Sequence, residues 1–271
     1  MRRNKNVNNI NELTASDISA VWADPVLRYS NILEGIFHEK VIVCEADGDC
    51  RFYNAIADAL REPKNHAYIR DIMFAQSGGK GGVSKLVRAL KKLAVPVTAV
   101  VDFDVLRDAG QLWSIVEALG GDPSLCKDDY AVVKKSIDDL GSVPPDRIKA
   151  EIAEIFAKIP ADSKGLSQAD TRKIHKLLKT SVGWERAKSA GLNLLGKGNP
   201  RICGERLFAK FREFGLEVVP SGELEAFCPL EASSKNEWVN EVLDKCRGKL
   251  GTEESLAEAR KFVTRLIEAP P

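Results

Sequence analysis

Residues 40–60 read KVIVCEADGDCRFYNAIADAL, and this stretch decides the fold. The run KVIVC is short, apolar and rich in β-branched residues, which is typical of a strand buried on both faces of a parallel sheet. A turn, ADGD, follows it, and CRFYNAIADAL then carries apolar residues at helical spacing. The order of strand, turn and helix predicts the first half of a βαβ unit.

The same alternation continues along the chain. We predict strands at YIRDIMFAQ (68–76), VPVTAVVDFD (95–104) and LEVVP (216–220). We predict helices at VSKLVRALKKL (83–93), QLWSIVEALGG (111–121) and LFAKFREFG (207–215). Right-handed crossovers between such elements give an α/β fold, a Rossmann-like, mostly parallel sheet flanked by helices on both faces.

Composition shifts divide the chain into four parts. Residues 1–38 are polar and Asn-rich at first, which predicts an N-terminal tether or linker, and residues 126–204 are helical and strand-poor, which predicts a helical insertion. The core of the α/β fold then comprises residues 39–125 and 205–230. Residues 231–271 are predicted to be C-terminal helices, and we assign no chemistry to them.

Overall composition excludes several classes of protein. The 271 residues are 44% hydrophobic and 29% charged, which is ordinary for a globular protein and unlike disordered, collagenous or membrane chains. The net charge of +1 identifies no partner. Six cysteines without a C-x-x-C pair argue against a zinc finger, and no apolar run is long enough to cross a bilayer. We therefore expect a cytoplasmic protein with reduced thiols and no membrane partner.

Local charge is less even. Residues 99–162 contain 13 acidic and 7 basic side chains, whereas residues 164–212 contain 12 basic and 3 acidic ones. An acidic cluster beside a basic surface suits a metal site next to a phosphate-bearing substrate. Solvated helix faces produce the same asymmetry, so both interpretations stay open at this point.

Four carboxylates follow two of the predicted strands. Glu45 and Asp49 come where the first strand ends, and Asp102 and Asp104 come where the third ends. The carboxyl ends of parallel strands share one edge, which is where open α/β sheets bind ligands. Four close carboxylates repel one another unless a divalent cation neutralises them, and an all-oxygen set favours Mg²⁺ or Mn²⁺ over zinc. The alternative is a group of solvated acids at a loop edge.

These motifs resemble a known family. VIVCEADGD followed by VVDFD resembles the TOPRIM domain, in which a glutamate follows the first strand and D-x-D follows the third. The longer run RYSNILEGIFHEKVIVCEADGDCRFYNAIADAL, with SGGKGG, VVDFD and GELE, resembles the nuclease region of overcoming-lysogenization-defect (OLD) family ATP-dependent endonucleases. The resemblance covers about Asp24 to Asp104 and Leu216 to Phe227. It implies a TOPRIM fold and a metal-dependent DNA endonuclease or nickase.

The resemblance also implies ligands for two catalytic Mg²⁺ or Mn²⁺ ions, which are Glu45, Asp49, Asp102 and Asp104. One ion would activate a water for in-line attack, and the other, about 3.5–4 Å away, would stabilise the leaving 3′ oxygen. Relatives usually gain a further ligand from the helical insertion, where the candidates are Glu151 and Glu154. A helical wheel favours Glu151, which flanks the apolar stripe of its helix, although both residues also suit an exposed helix face.

The sequence departs from the family pattern at two places. Ala46 follows the glutamate where relatives usually have glycine, and Ser221 stands where they often carry a lysine before the glycine of a G-x-x-E turn. Either Lys80 or Lys210 then supplies the missing positive charge, or activity is weak. In the same turn, Glu223 and Glu225 either orient metal ligands or cap the following helix.

The loop SGGKGGVSKL, residues 77–86, imitates a deviant Walker A motif. Ser84 and Leu86 replace the glycine and the hydroxyl residue that such a motif requires. Glycine amides at a helix N-terminus still favour an anion, so we expect Lys80 and this loop to meet a DNA phosphate. A plain turn is the alternative interpretation.

Partners follow from the basic segment and from the resemblance. We expect the basic helices to hold the DNA backbone with little sequence preference, through Arg172, Lys173, Lys176 and Lys179 above all. Relatives carry an ATPase on the same chain, and no intact P-loop exists here. The resemblance therefore implies an ATPase module on the same original chain or on a separate subunit, and it is compatible with a homodimer.

Two other functions remain open. VVDFDVL resembles motif I of haloacid dehalogenase-like phosphatases, with Asp102 as nucleophile, although that motif normally lies on the first strand of the chain. A non-catalytic TOPRIM module that binds DNA or an ATPase is the second alternative. Ser221 favours this module slightly, whereas the complete set of four carboxylates argues against it.

Overall fold

The structure, a computed structural model, describes most of the chain from residue 32 onward. The described residues are 2–4, 7–9, 14–16, 19, 23, 32–61, 71–141, 143–160, 163, 165–179, 182–228, 230, 232 and 234–268. Much of the predicted tether and the start of the predicted strand at 68–76 lie outside them. Near the N-terminus, β1 (Arg2–Asn4) and β2 (Val7–Asn9) pair antiparallel.

A four-stranded sheet forms the centre of the fold. Its strands are β3 (Lys40–Cys44), β4 (Ile72–Gln76), β5 (Val97–Val101) and β6 (Leu216–Val218). All four are parallel, in the order β4-β3-β5-β6. The prediction of an α/β fold with a Rossmann-like parallel sheet is confirmed.

Helices connect and flank these strands. They are α1 (Asp47–Leu60), α2 (Lys80–Lys92), α3 (Ala109–Leu119), α4 (Lys127–Asp138), α5 (Pro145–Ala157), α6 (Gln168–Lys179), α7 (Gly183–Ala190), α8 (Asn199–Phe214), α9 (Lys235–Lys245) and α10 (Ala257–Glu268). Their ends carry ordinary signals: Asp108 Oδ1 accepts a hydrogen bond from Gln111 N as the N-cap of α3, and Gly120 ends that helix at φ 89°.

The sheet is buried on both faces, as its apolar strands require. Val41 and Val43 point into one core, which α2, α3 and α8 cover. Ile42 and Cys44 point into the other, which α1, α9 and α10 cover. Alternate residues of one strand thus serve two cores, which is why β3 reads as a continuous apolar run instead of an alternating one.

The segment predicted as a helical insertion has two different parts. Helices α4 and α7 belong to the first core, to which they contribute Tyr130, Val133 and Trp184. Helices α5 and α6 pack against each other, and α5 has no fully buried residue. Within the described residues, no helix combines the length and the apolar character that crossing a membrane requires.

The helices after residue 230 complete the second core. Trp238 of α9 lies 5.2 Å from the ring of Phe52 in α1, and Phe262 of α10 lies 5.6 Å from the ring of Tyr53. The indole N–H of Trp238 also donates to Cys228 O at 3.1 Å. This packing brings the first turn of α9 to the carboxyl edge of the sheet.

Candidate metal centre

Two carboxylates meet where neighbouring strands end. Glu45 directly follows β3, and Asp102 directly follows β5. These strands are parallel neighbours, so their carboxyl ends lie side by side. The backbone N–H of Asp102 donates to Glu45 Oε1 at 2.9 Å. Only 8% of Glu45 and 5% of Asp102 are exposed, so both carboxylates are largely removed from water.

A short 3₁₀ turn places a third carboxylate, that of Asp104, beside Glu45 and Asp102. The turn Phe103–Arg107 starts immediately after Asp102, and the N–H of Phe103 donates to Gly222 O at 2.7 Å. Glu45, Asp102 and Asp104 each offer one carboxylate oxygen, and these three oxygens lie within 4.8 Å of one another. An all-oxygen group of this kind is the ligand set that Mg²⁺ or Mn²⁺ prefers.

Asp49 reaches this edge from the first turn of α1. Its Oδ2 accepts from Ala46 N at 2.9 Å, which closes the turn between β3 and the helix. Its Oδ1 faces Lys235 Nζ at 2.9 Å, and the same ammonium lies 3.3 Å from Asp102 Oδ2. Asp49 therefore contacts the group through a lysine and does not belong to the set of three close oxygens.

The negative charges of Glu45, Asp102 and Asp104 repel one another. Burial and the charge of Asp102 raise the pKa of Glu45 to about 7. Burial also raises the pKa of Asp102, although Lys235 opposes the shift. A bound divalent cation relieves this repulsion, so the residues present fit a metal ion.

Three lysines surround the carboxylates. Lys80 forms an ion pair with Asp104, and Lys188 Nζ lies 3.5 Å from Asp104 Oδ2 and 3.8 Å from Glu223 Oε2. Lys235 bridges Asp49 and Asp102. Burial opposes the charged forms of Lys188 and Lys235, yet the carboxylates around them raise the pKa of both above the usual range. Sequence reasoning missed both residues, because they come from helices far from the strand motifs.

The glycine loop holds Lys80 against the end of β3. Gly79 N donates to Glu45 O at 2.7 Å, and Ser77 Oγ lies 3.4 Å from the same carbonyl. Gly78 and Gly79 have φ of 71° and 111°, in the region that glycine tolerates best. A Cβ on Gly82 would lie 1.9 Å from Ser77 O, so only glycine fits there. The loop therefore places the ammonium of Lys80 at the carboxylates.

The turn after β6 lies against the backbone of Lys188. Gly222 has φ of 113°, and a Cβ there would lie 2.1 Å from the carbonyl oxygen of Lys188. The neighbouring Ser221 has a buried Oγ without a hydrogen-bond partner among the described residues. Glu223 pairs with Lys188 and makes no side-chain cap bond to the following 3₁₀ turn. Glu225 carries a buried Oε2, also without a hydrogen-bond partner among the described residues.

The other acidic candidates lie on α5. Glu151 accepts from Arg147 Nε at 3.0 Å along its own helix, and Glu154 is exposed. Among the described residues, the close acidic group contains neither of them. Their role as ligands stays a prediction.

The basic candidates lie mostly on α6. Arg172 lies 3.9 Å from Glu237 of α9, and Lys173 lies 3.6 Å from Asp170. Lys176 and Lys179 belong to the same helix. Lys210, on α8, pairs with Glu213 at 2.6 Å. The ion pair to α9 brings α6 close to the helix that carries Lys235.

Comparison with known proteins agrees with this geometry. Residues 36–104 match the model of the TOPRIM domain of overcoming-lysogenization-defect protein-like proteins. The matched range contains β3 to β5 and all four strand-end carboxylates. Searches of curated proteins and of solved structures found no match.

Proposed function

We propose that this chain, which contains an OLD-like TOPRIM region, is a metal-dependent DNA nuclease that hydrolyses phosphodiester bonds at the carboxyl edge of its sheet. The observation that carries the proposal is the group of three oxygens from Glu45, Asp102 and Asp104, which lie within 4.8 Å of one another and beside three lysines. TOPRIM domains of this family imply a metal-dependent nuclease and a nucleic-acid substrate.

Each residue type has a distinct role in this proposal. The three carboxylates hold Mg²⁺ or Mn²⁺, which supplies Lewis-acid polarisation of a phosphate oxygen and activation of a water nucleophile. Lys80 and Lys188 place positive charge where negative charge develops on the phosphate. Without an ion the pKa of Glu45 is raised to about 7, so Glu45 would release its proton when it binds the metal as a carboxylate.

The proposed substrate and partners rest on the basic helix α6 and on the family resemblance. Arg172 and Lys173 on α6 are exposed, and they would hold the phosphate backbone of DNA with little sequence preference. We propose nicking or endonucleolytic cleavage within an ATPase–nuclease system, with the ATPase on the same original chain or on a partner subunit. A homodimer is compatible with this arrangement.

The decisive experiment incubates the protein with supercoiled plasmid in Mg²⁺, Mn²⁺, Ca²⁺ or EDTA. Asp102→Ala and Glu45→Gln are compared with Asp146→Asn, a matched change of an exposed aspartate on α5. We expect metal-dependent nicking or linearisation that the first two variants lose and the control keeps.

Other outcomes contradict the proposal. If the protein leaves plasmid intact but hydrolyses p-nitrophenyl phosphate through Asp102, it is a haloacid dehalogenase-like phosphatase. Inertness toward both substrates, also after addition of a cognate ATPase, identifies a non-catalytic binding module.

A further inference from the structure

Lys235 forms ion pairs with two of the four carboxylates at this edge of the sheet, Asp49 and Asp102. Its Nζ lies 2.9 Å from Asp49 Oδ1 and 3.3 Å from Asp102 Oδ2. The first distance is that of a charge-assisted hydrogen bond between an ammonium and a carboxylate, and the second is that of a longer ion pair. Both aspartates are buried, so water contributes little to their neutralisation.

The backbone that carries Lys235 is fixed by the core. Ser234 Oγ accepts from Glu237 N and caps α9, so Lys235 is the first residue of a well-formed helix. Behind it, Trp238 is 1% exposed. A Cβ on Gly48 of α1 would lie 3.3 Å from Cγ of Lys235, which shows how closely the two helices approach.

Side-chain bonds add to this packing. Arg51 of α1 donates to Asn236 Oδ1 at 3.3 Å and to Asn240 Oδ1 at 2.9 Å. The backbone of Lys235 is therefore held in place, and only the side chain can change its conformation. An ammonium placed in this way is part of the centre and not a loose surface charge.

The two sides of the centre offer different ligand sets. Three carboxylate oxygens, from Glu45, Asp102 and Asp104, approach one another closely. On the other side, among the described residues, the ammonium of Lys235 lies between Asp49 and Asp102, and Glu225 also interacts with it electrostatically. Mg²⁺ needs near-octahedral geometry at about 2.0–2.1 Å from its ligands, so the three-oxygen side suits it better.

We propose that Lys235 is a built-in cation that takes the place of a second divalent ion, so that the centre binds one divalent ion per chain. That ion lies at Glu45, Asp102 and Asp104, and the ammonium of Lys235 occupies the space between Asp49 and Asp102. The inference rests on the proposed function and revises the two-ion expectation that the family resemblance implies.

The test counts bound Mn²⁺ per chain by equilibrium dialysis at saturation. The wild type is compared with Lys235→Met, which keeps an unbranched side chain one atom shorter and removes its charge, and with Lys235→Arg. The control is Lys245→Met, at the exposed end of the same helix. We expect one ion for the wild type, Lys235→Arg and the control, and two ions for Lys235→Met.

A second measurement, the melting temperature, detects whether Lys235→Met has a folding defect. Lys235→Met leaves two buried carboxylates facing each other, so its melting temperature in EDTA should fall, and Ca²⁺ should raise it by more than in the wild type. If Lys235→Met does not fold in EDTA, it is refolded in Mn²⁺, and its bound ions are counted beside those of Lys235→Gln, which replaces the ammonium by an uncharged amide donor.

The difference between variant and wild type decides the inference. A gain of one ion in Lys235→Met supports it, whereas equal counts overturn it, including the case in which the wild type binds two ions. The wild-type count by itself tests the proposed function: a chain that binds no ion lacks the proposed metal centre, whatever Lys235→Met does.

Discussion

Glu45 Oε1 accepts a hydrogen bond of 2.9 Å from the backbone N–H of Asp102. A carboxylate at the end of one strand is thereby tied to the backbone at the end of its neighbour. The bond orients Glu45 toward the other carboxylates, and it does so where both residues are buried. The protonation state of Glu45 should therefore affect the stability of the fold, and this effect can be measured.

The first prediction concerns pH and Glu45. The pKa of Glu45 in the fold is raised from 4.5 to about 7, so the fold favours its protonated form. This contribution to stability is present below pH 4.5 and is lost as pH rises through 7, by at most about 1.4 kcal/mol per pH unit. We expect the difference in unfolding free energy between wild type and Glu45→Gln, measured with urea in EDTA, to change across this window. Parallel pH curves for the two proteins contradict the prediction.

The second prediction concerns Asp104 and metal affinity. Asp104→Asn removes one of the three proposed charged ligands, so the affinity for Mn²⁺ should fall by about 100-fold or more. Mutation of residues that only hydrogen-bond to metal ligands already lowers metal affinity by about 10–100-fold. Isothermal titration calorimetry measures this affinity. The matched variant Asp146→Asn, on the exposed face of α5, should bind as the wild type does. Equal affinities for the two variants would remove Asp104 from the centre.

The third prediction compares two adjacent glycines. A methyl group on Gly82 meets Ser77 O at 1.9 Å, whereas one on Gly81 meets no atom within 4 Å. Gly82→Ala should destabilise the protein by about 1–3 kcal/mol through overpacking. Gly81→Ala should stabilise it by about 0.5–1 kcal/mol, because alanine favours the helix. Chemical denaturation measures both, and a loss of stability in Gly81→Ala would show that the loop needs both glycines.

The fourth prediction concerns Lys188, which lies beside Asp104 and Glu223. If its ammonium stabilises charge on the phosphate, Lys188→Met should lower the rate of plasmid nicking on the order of 100-fold. The affinity for Mn²⁺ should not fall, since Lys188 is not a ligand. Lys197→Met, an exposed change nearby in sequence, serves as the control. A parallel loss of metal affinity would indicate that Lys188 only supports the fold of the centre.

The fifth prediction concerns DNA binding through α6. Lys173 is exposed, so Lys173→Ala should weaken binding to all sequences alike and reduce the slope of log affinity against log salt by about 1. Fluorescence anisotropy with a labelled duplex at several salt concentrations gives this slope. Lys135→Ala, an exposed change on α4, should leave it unchanged. A Lys173→Ala slope equal to that of the wild type would place the DNA elsewhere.

Strand-and-turn patterns were sufficient to predict the parallel sheet, because burial on both faces leaves a clear apolar run in β3 and β5. The strand-end acids could be predicted for the same reason, since the ends of parallel strands share an edge. Lys235 could not, because it follows Asp49 by 186 residues and no local pattern joins them. Lys188 could not be predicted either, because nothing in the sequence distinguishes it from the many other basic residues on amphipathic helices.

This separation along the chain has a consequence for synthesis. During translation the four acids have been synthesised by residue 104, but Lys235, whose ammonium contacts Asp49 and Asp102, is synthesised much later. Until α9 docks against α1, Asp49 and Asp102 lack their shared counter-charge, and one core of the sheet is open to solvent. Under the proposed function, a nascent chain is thus an inactive nuclease, and it becomes active only when its later helices fold.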